Sequence, residues 1–388
     1  MKRGLLIALV FLVVLFLIAT LFLPNQFDRA ANRVAGAAPP SSEAAQTLYR
    51  TLRVVDLHAD PLLWSRDVLD RADHGHVDVP RLIEGGVALQ VFGLVTGSPV
   101  GQNYQSTSDD GLDGITMIAI LQRWPLATWS NRLARSKHLS ARFFDAAERS
   151  GGTLRGIRTA ADLRTALAAR TTDPAQVAGL LGLEGMHGIG DDVSGVDALF
   201  DAGVRMMAPT HFFDNLVAGS SAGEEKGGLT PFGRAALARA SELGIVIDLA
   251  HASSATIVDI LAQVTKPVVV SHTGVKATCP SPRTLSDDEL RLIAAGGGVV
   301  GIGYWAGAVC GTQPADIARA MAHVRSVVGA EHIALGSDFD GGVTTSFDTT
   351  GLASLVDALF EAGFSESEIR GVMGENALRV LLATLPES

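Results

Sequence analysis

Four histidines and several carboxylates stand at the ends of apolar runs in this chain. The first run closes with Asp56-Leu57-His58-Ala59-Asp60, where the two-residue period of a strand puts Asp56, His58 and Asp60 on one face. Later runs close with the other members of the set: Glu184, His211, His251, His272 and Asp338. Imidazole nitrogens and carboxylate oxygens are zinc ligands, and a catalytic zinc site keeps one position open for water. These residue types therefore predict a metal site that activates water.

The size of the cluster decides between two explanations. A single histidine after a strand is more often a hydrogen-bonded rim residue than a metal ligand, but four of them at four strand ends are a much rarer coincidence. Two metal ions about 3.5–4 Å apart can share a carboxylate, and such a pair needs about five protein ligands. The only cysteines are Cys279 and Cys310, so histidine and carboxylate would have to supply those ligands.

The elements that must position these residues are eight apolar or β-branched runs that alternate with amphipathic stretches. The runs are LRVVDL from Leu52, VALQVFGLV from Val87, VAGLLGLE from Val177, VRMMAPT from Val204, GIVIDLA from Gly244, PVVVS from Pro267, GGVVGIGY from Gly297 and HIALGS from His332. Eight such repeats predict an α/β fold, a (β/α)8 TIM barrel whose active site lies at the C-terminal ends of its strands. Thr230 and Ser286 are expected to be helix N-caps. The gap from about Gly97 to Gln176 predicts extra helices after the second strand.

The negative net charge of the protein argues against a nucleic-acid partner. The 388 residues carry a formal net charge of -10, and 47% of them are apolar, which permits a sizeable core. An acidic chain with scattered basic residues lacks the basic face that a phosphate backbone requires. No nucleic-acid partner is therefore expected.

The N-terminal residues have the composition of a membrane helix. Residues 4–23 contain no charge, and about 20 apolar residues are enough to cross a bilayer. We therefore expect a signal-anchor helix over residues 1–24, a linker over 25–47 and a catalytic domain over 48–388. Lys2 and Arg3 would keep the N-terminus in the cytoplasm, which predicts attachment to the inner membrane with the domain on the periplasmic side. A cleaved signal peptide, with its site near Ala35-Gly36-Ala37, is the alternative.

The chain resembles the membrane dipeptidases, also called renal dipeptidases, which are amidohydrolase-like metallopeptidases. The likeness runs from Val54 to Leu381. The segments that carry it are VVDLHADPLLW, LGLEGMHGIG, GVRMMAPTHFFDN, GLTPFGRAALARASELGIVIDLAHAS, PVVVSHTGVKATCPSPRTLSDDELRLIAAGGGVVGI, ALGSDFDG and GENALRVL. The resemblance implies a zinc-dependent dipeptidase that hydrolyses the peptide bond of dipeptides with a hydroxide held by two zinc ions per chain. A homodimer is one assembly that the sequence leaves open.

The resemblance also implies a role for each residue of the set. His58 and Asp60 bind one zinc, His251 and His272 bind the other, Glu184 bridges them, His211 holds the scissile carbonyl, Arg283 receives the substrate's terminal carboxylate, and Asp338 carries the proton.

Neighbouring residues are assigned less specific roles. Asp56 is expected to orient a ligand or to hold backbone, and Asp340 either caps a turn or supports the site. His187 is expected in an exposed loop, with a contact to the substrate as the alternative, and Asn215 and Tyr304 could line the pocket. The remaining histidines are expected to be solvated: His74, His76, His138, His323 and His332.

Cys279 and Cys310 flank a predicted strand in a domain that is expected to be exported. Two thiols in an oxidising compartment can pair, so a disulfide is expected, with two free buried thiols as the alternative.

Three other functions remain open at this stage. The same metal pair could hydrolyse another amide near a carboxylate, such as a β-lactam, an N-acyl amino acid or a modified periplasmic peptide, because loops set the pocket. A zinc-dependent binding or peptide-maturation protein without turnover is a second alternative, which the intact ligand set argues against. A purely structural anchor would leave the cluster unexplained.

Overall fold

The computed structural model of the protein describes residues 2–37 and 39–388. Met1 of the predicted anchor and Ala38 of the predicted linker lie outside the described residues. Within these ranges the chain forms one curled parallel sheet surrounded by helices, with a separate pair of short strands.

The large sheet contains nine strands, eight of which follow one another in the order β7-β6-β5-β3-β2-β10-β9-β8, while β4 pairs with β5. All its ladders are parallel. The strands are β2 Val54–Ala59, β3 Val87–Val95, β4 Leu154–Gly156, β5 Val177–Glu184, β6 Val204–Met207, β7 Val246–Ile247, β8 Val269–Thr273, β9 Val299–Ile302 and β10 Ile333–Leu335. A single parallel bridge between Asp248 and Val269 joins the two ends of this order. Each of the eight predicted runs overlaps one of these strands.

The second sheet is small and pairs the N-terminal region with a late loop. Its strands β1 Arg33–Val34 and β11 Thr344–Thr345 run parallel, with Arg33 opposite Thr344.

Helices cover the outer face of the curled sheet. The α-helices are α1 Lys2–Ala31, α2 Glu43–Tyr49, α3 Val79–Glu84, α4 Gly114–Leu121, α5 Arg132–Arg149, α6 Ala160–Arg170, α7 Ser194–Asp201, α8 Pro231–Glu242, α9 Ser254–Leu261, α10 Asp287–Ala295, α11 Ala306–Val309, α12 Pro314–Val328, α13 Ala353–Glu361, α14 Glu366–Arg370 and α15 Asn376–Thr384. Short 3₁₀ helices lie at Pro61–Leu63, Leu126–Trp129, Met186–Ile189, Ala330–His332 and Thr349–Gly351, and a π-helical turn lies at Gly371–Glu375.

Local sequence explains where several of these helices begin. Thr230 caps α8 by accepting from the Gly233 N–H, and Ser286 forms a capping box with Glu289 at the start of α10. Helices α4, α5 and α6 occupy the gap after the second predicted strand. Strands β2, β3 and β5 are buried along their whole length, as expected of a parallel sheet that is covered on both faces.

The structure corrects the predicted fold class and localisation. Among residues 2–37 and 39–388, no helix combines the length and the apolar character that crossing a membrane requires. Helix α1 continues past its apolar part through Pro24, and its last turns carry Asp28 and Arg29, which pair with side chains of the main body. The predicted transmembrane helix, the (β/α)8 barrel preceded by such a helix and the inner-membrane location are therefore wrong. The fold is a curled, TIM-like parallel sheet, and the predicted domain boundaries stay predictions.

Candidate metal centre

The predicted chemical residues lie at one end of the sheet because parallel strands all finish there. His58 is in β2, His272 is in β8, and Glu184 is the last residue of β5, opposite Val95 of β3. The remaining members follow their strands directly: His211 after β6, His251 after β7 and Asp338 after β10.

Glu184 is the centre of the arrangement. Its Oε1 atom lies 3.0 Å from His251 Nε2, 3.4 Å from His272 Nε2 and 3.7 Å from His58 Nε2. Its Oε2 atom lies 3.5 Å from His211 Nε2. All four predicted histidines therefore direct Nε2 at one carboxylate.

Two further carboxylates complete the cluster. His58 Nε2 lies 3.3 Å from Asp60 Oδ2 and 3.9 Å from Asp338 Oδ1. Three overlapping groups bring their donor atoms within 4.8 Å of one another, namely His58 with Asp60 and Glu184, His58 with His272 and Asp338, and Glu184 with His211 and His251. Each group has a donor set that suits zinc.

The donor atoms fit a cation better than they fit one another. His251 Nε2 and His272 Nε2 are 3.0 Å apart, and both lie within 3.4 Å of Glu184 Oε1, so three atoms that can each offer a lone pair meet at one point. His58 Nε2 and Asp60 Oδ1 are buried and have no hydrogen-bond partner among the described residues. Buried polar atoms without partners are rare and call for a bound group or water. A divalent cation would satisfy these atoms together.

Burial and charge shift the pKa values in the cluster. Burial lowers the pKa of His251 and of His272 well below the ordinary value, with Arg283 and His58 adding to the effect, so both rings are neutral, as a metal ligand must be. Burial would also lower the pKa of His58, but Asp60 and Glu184 outweigh it and raise that pKa well above the ordinary value. Burial raises the pKa of Glu184. A cation would favour the ionised carboxylates and the neutral rings.

Hydrogen bonds fix the orientation of two of the rings. The carbonyl oxygen of Gly97 can only accept, so His211 donates to it from Nδ1, at 3.0 Å, and Nε2 is left to face Glu184. The hydroxyl of Ser271 lies 2.9 Å from His272 Nδ1. Such partners hold a metal-binding imidazole in one tautomer and one orientation.

Two buried aspartates hold the strand ends together. Asp56 accepts from the backbone N–H and the hydroxyl of Ser337, at 2.9 and 2.6 Å, and so links β2 to the segment after β10. Asp248, which sequence reasoning missed, accepts from the N–H groups of Ala250 and Ser271 at 2.9 and 2.8 Å. Its signal was present, because Asp248 precedes His251 in DLAH as Asp56 precedes His58 in DLH.

Three members of the region have left-handed backbone. The φ angles of His251, Asp338 and Asp340 are 61°, 59° and 63°. Such angles are strained for residues other than glycine and persist only where surrounding contacts enforce them. Asp340 itself is held in this way, because it is fully buried, lies 2.9 Å from Arg66 Nη2 and accepts from the His76 N–H at 2.7 Å. Burial would raise its pKa, but Arg66 and His76 outweigh burial and lower it.

A cavity of about 780 Å³ opens onto the cluster. Asp60, Glu184, His211, His251, His272 and Asp338 line it, as do Arg283, Tyr104, Phe212 and Trp305. The guanidinium of Arg283 donates from Nη2 to the His272 carbonyl at 2.7 Å, while its buried Nε has no partner among the described residues. Burial lowers the pKa of Arg283. The cavity therefore combines the donor cluster with a fixed cation.

Four residues lie elsewhere than expected. His187 was expected to be exposed, but it is 8% exposed and packs beside Phe213. Tyr304 is fully buried, and Asn215 caps the turn at Val217, so neither lines the cavity on the cluster. His76 is also buried, against Asp340, so its predicted solvation is wrong. A sequence window does not reveal the contacts of His187 and His76, because their partners, Phe213 and Asp340, lie 26 and 264 positions away.

A family model described as "Membrane dipeptidase (Peptidase family M19)" matches residues 42–385. The chain belongs to the membrane dipeptidase family. The family resemblance stated from the sequence motifs is therefore confirmed.

Two fungal relatives are dipeptidases. Dipeptidase aclJ of Aspergillus oryzae is 35% identical over 218 residues, which cover 54% of this chain and 52% of that protein. Dipeptidase verJ of Clonostachys rogersoniana is 33% identical over 213 residues, which cover 53% and 55%. The chain thus spans about half the length of the curated relatives it matches.

Solved structures of this family share the fold. The dipeptidase AC, a metallopeptidase of family M19, has a TM-score of 0.72 at 23% identity, and the match covers 87% of this chain and 100% of that chain. A metallopeptidase from Rhodobacter sphaeroides, solved with a phosphinate mimic of the dipeptide L-Ala-D-Ala, has a TM-score of 0.69 at 24% identity, over 86% and 99%. The probable dipeptidase PvdM from Pseudomonas aeruginosa scores 0.71 at 19% identity, over 89% and 98%.

This member of the family has one disulfide. The structure joins Cys279 to Cys310, which lie 31 residues apart on either side of β9. The bond ties the loop after β8 to the end of α11, and both segments border the cavity near Arg283 and Trp305.

Proposed function

We propose that this protein is a dipeptidase that uses two zinc ions, held by the cluster around Glu184, to hydrolyse the peptide bond of a dipeptide. The observation that carries the proposal is the convergence of four histidine Nε2 atoms on that carboxylate, within 3.0–3.7 Å, at the floor of a cavity that also holds Arg283. Membership of the metallo-dipeptidase family supports the same reaction.

The metal assignment follows the donor groups. His58, Asp60 and Glu184 are one of the three donor groups and would form the first set. The second set would be Glu184, His251 and His272, because Glu184 Oε1 lies 3.0 and 3.4 Å from the Nε2 atoms of those two rings, so Glu184 would be shared. When bound, zinc polarises a carbonyl and lowers the pKa of water, so no serine or cysteine nucleophile is needed.

Arg283 would recognise the free carboxylate of the substrate. Its planar group can donate two parallel hydrogen bonds to a carboxylate, and contacts to the His272 carbonyl and to Thr273 fix its position. A fixed cation close to the reacting centre leaves room for only a short C-terminal part of a substrate. This arrangement favours dipeptides over longer chains.

His211 and Asp338 would act on the reacting atoms. His211 Nε2 faces the cavity beside Glu184, where it can donate to the carbonyl oxygen as negative charge develops, provided that both ring nitrogens carry protons. Asp338 borders the cavity and lies 3.9 Å from His58 Nε2, so it can take a proton from water and pass it to the leaving amine.

The test combines metal content with hydrolysis by the purified full chain. Elemental analysis should find two zinc ions per chain, and a panel of L-L and L-D dipeptides should be cleaved in a chelator-sensitive way. The L-D members are included because the Rhodobacter sphaeroides protein was solved with an L-Ala-D-Ala mimic.

Other results would change the proposal in distinct ways. If the chain binds two zinc ions but cleaves no dipeptide, the substrate would be another carboxylate-bearing amide, such as a β-lactam or an N-acyl amino acid, or the protein would act in peptide maturation without hydrolysis. A content of one zinc ion per chain would mean that Glu184 is not shared between two ions. Cleavage without any metal would refute the mechanism.

A further inference from the structure

The segment Asp28–Val34, which we call the rim segment, lies before the residues that match the family and yet is bound beside the metal centre. Its strand β1 pairs with β11, in the loop that follows Asp338. The Arg33 N–H donates to the Val343 carbonyl at 3.2 Å, and the Ala35 N–H donates to the Thr345 carbonyl at 2.7 Å. The rim segment is therefore an added part of the cavity wall.

Buried polar contacts hold the rim segment in place. Asp28 is fully buried and accepts from Arg66 Nε at 2.6 Å and from Asn32 Nδ2 at 2.9 Å. Asn32 in turn accepts from the Gly342 N–H at 2.9 Å. Because Arg66 also pairs with Asp340, one network connects the rim segment to the turn that carries Asp338. Networks of this kind fix a segment in one position.

Arg33 is the residue that the rim segment contributes to the cavity. Its backbone is fixed by β1 and by His76, whose Nε2 lies 3.2 Å from the Arg33 carbonyl oxygen. Its side chain is exposed and belongs to the wall of the 780 Å³ cavity, together with Arg283 and Asp338. Over residues 2–37 and 39–388, the ion pairs of the rim segment involve Asp28 and Arg29, and none involves Arg33.

The two guanidinium groups of this wall differ in what they can bind. Arg283 is buried, and in the proposed function it takes the α-carboxylate that every dipeptide has. A second guanidinium without a protein partner favours a second negative charge on the ligand and disfavours a positive one.

We propose that Arg33 is a specificity-determining residue that selects dipeptides with an acidic side chain over dipeptides with neutral or basic ones. This inference rests on the proposed dipeptidase function. Since Arg33 is exposed, the effect is modest and weakens with salt, and an advantage of about threefold in kcat/KM is expected.

The test compares matched substrates in full-length variants. Glu-Ala against Gln-Ala, and Ala-Glu against Ala-Gln, differ by one charge with nearly the same shape. Arg33→Gln should lower the acidic-to-neutral ratio of kcat/KM for one of these pairs by about threefold, Arg33→Glu should lower it further, and Arg33→Lys should retain most of it. Arg50→Gln is the control, because Arg50 is exposed, lies outside the cavity and carries the same charge.

The outcomes separate this inference from the proposed function. If the wild type cleaves no dipeptide, the proposed function is refuted, and the inference about Arg33 is refuted with it. If the neutral dipeptides are cleaved and the ratios of both pairs stay the same in Arg33→Gln, only the role of Arg33 is refuted. An equal change in Arg50→Gln would also refute it, because the effect would then come from net charge.

Discussion

Gly93 in β3 provides the sharpest test of the geometry around Asp60. A Cβ atom built on Gly93 would lie 1.9 Å from Asp60 Oδ1 and 3.1 Å from His58 Cε1, whereas ordinary contacts begin at 3.4 Å. Gly93→Ala would therefore force the carboxylate of Asp60 to move by about 1.5 Å, because a packed strand cannot yield that much. The same carboxylate is a proposed metal ligand.

The expected effect falls on metal binding and turnover. Misplacing a catalytic group by about 1 Å can reduce the rate about 100-fold, so kcat/KM of Gly93→Ala should fall by at least about 100-fold, with weaker zinc binding. The assay measures zinc affinity, dipeptide hydrolysis over a range of added zinc, and Tm. Partial recovery of activity at high zinc would show that the lost step is metal binding.

Gly182→Ala is the matched control. Gly182 lies opposite Gly93 in the register of β5 and β3, but its added methyl would meet the flexible end of Met206 at 2.9 Å and not a site residue. This control should lose about 1–3 kcal/mol of stability from overpacking and keep its activity per folded molecule. Full zinc content and full turnover in Gly93→Ala would refute the placement of Asp60 as a ligand.

Two other predictions concern the proton and the pH dependence of stability. Asp338→Asn should keep the fold and the metal content of the wild type while kcat falls by about 100-fold or more, because the amide cannot carry the proton. Full turnover, or loss of the metal, would contradict this role. Burial, assisted by Arg142, lowers the pKa of His138 to about 4, so its neutral form is favoured in the folded state. The contribution of His138 to the free energy of unfolding is fully present above the unfolded pKa of about 6.5, and it is lost as the pH falls towards 4. This loss amounts to about 1 kcal/mol after allowance for solvent screening. Urea unfolding should show that His138→Gln loses less stability than the wild type between pH 7 and pH 4, and parallel curves would contradict the assignment.

The sequence predicted the clustering of the candidate metal ligands better than it predicted the residues that surround them. Residues such as Glu184 and His272 end strands, and strands of a parallel sheet finish at a common edge, so position along the chain indicates proximity in space. The distances confirm that these side chains meet around Glu184. The supporting contacts of Asp248 and Gly97 depend on pairings between distant strands and loops, which periodicity does not encode.

The error at the N-terminus has a related cause. Composition alone predicts a membrane helix from the apolar run, and it says nothing about the contacts of the polar residues that follow. In the structure those residues, Asp28 and Asn32 among them, bind the main body through partners about 40 and 310 positions away, Arg66 and Gly342. A local window contains neither partner. Interactions of this kind become visible only when the distant residues are placed.

The same contacts explain how the turn at Asp338 is maintained. Asp338 and Asp340 both have left-handed backbone, which costs free energy for residues other than glycine. The cost is offset because Asp340 is held by Arg66 and His76, and because the Asp338 N–H donates to the His58 carbonyl at 3.2 Å. The proposed proton carrier therefore depends for its position on the network that also binds the rim segment. Arg66→Gln should for this reason lower kcat/KM for dipeptides although Arg66 does not line the cavity on the cluster, and unchanged kcat/KM in a folded variant would contradict this dependence.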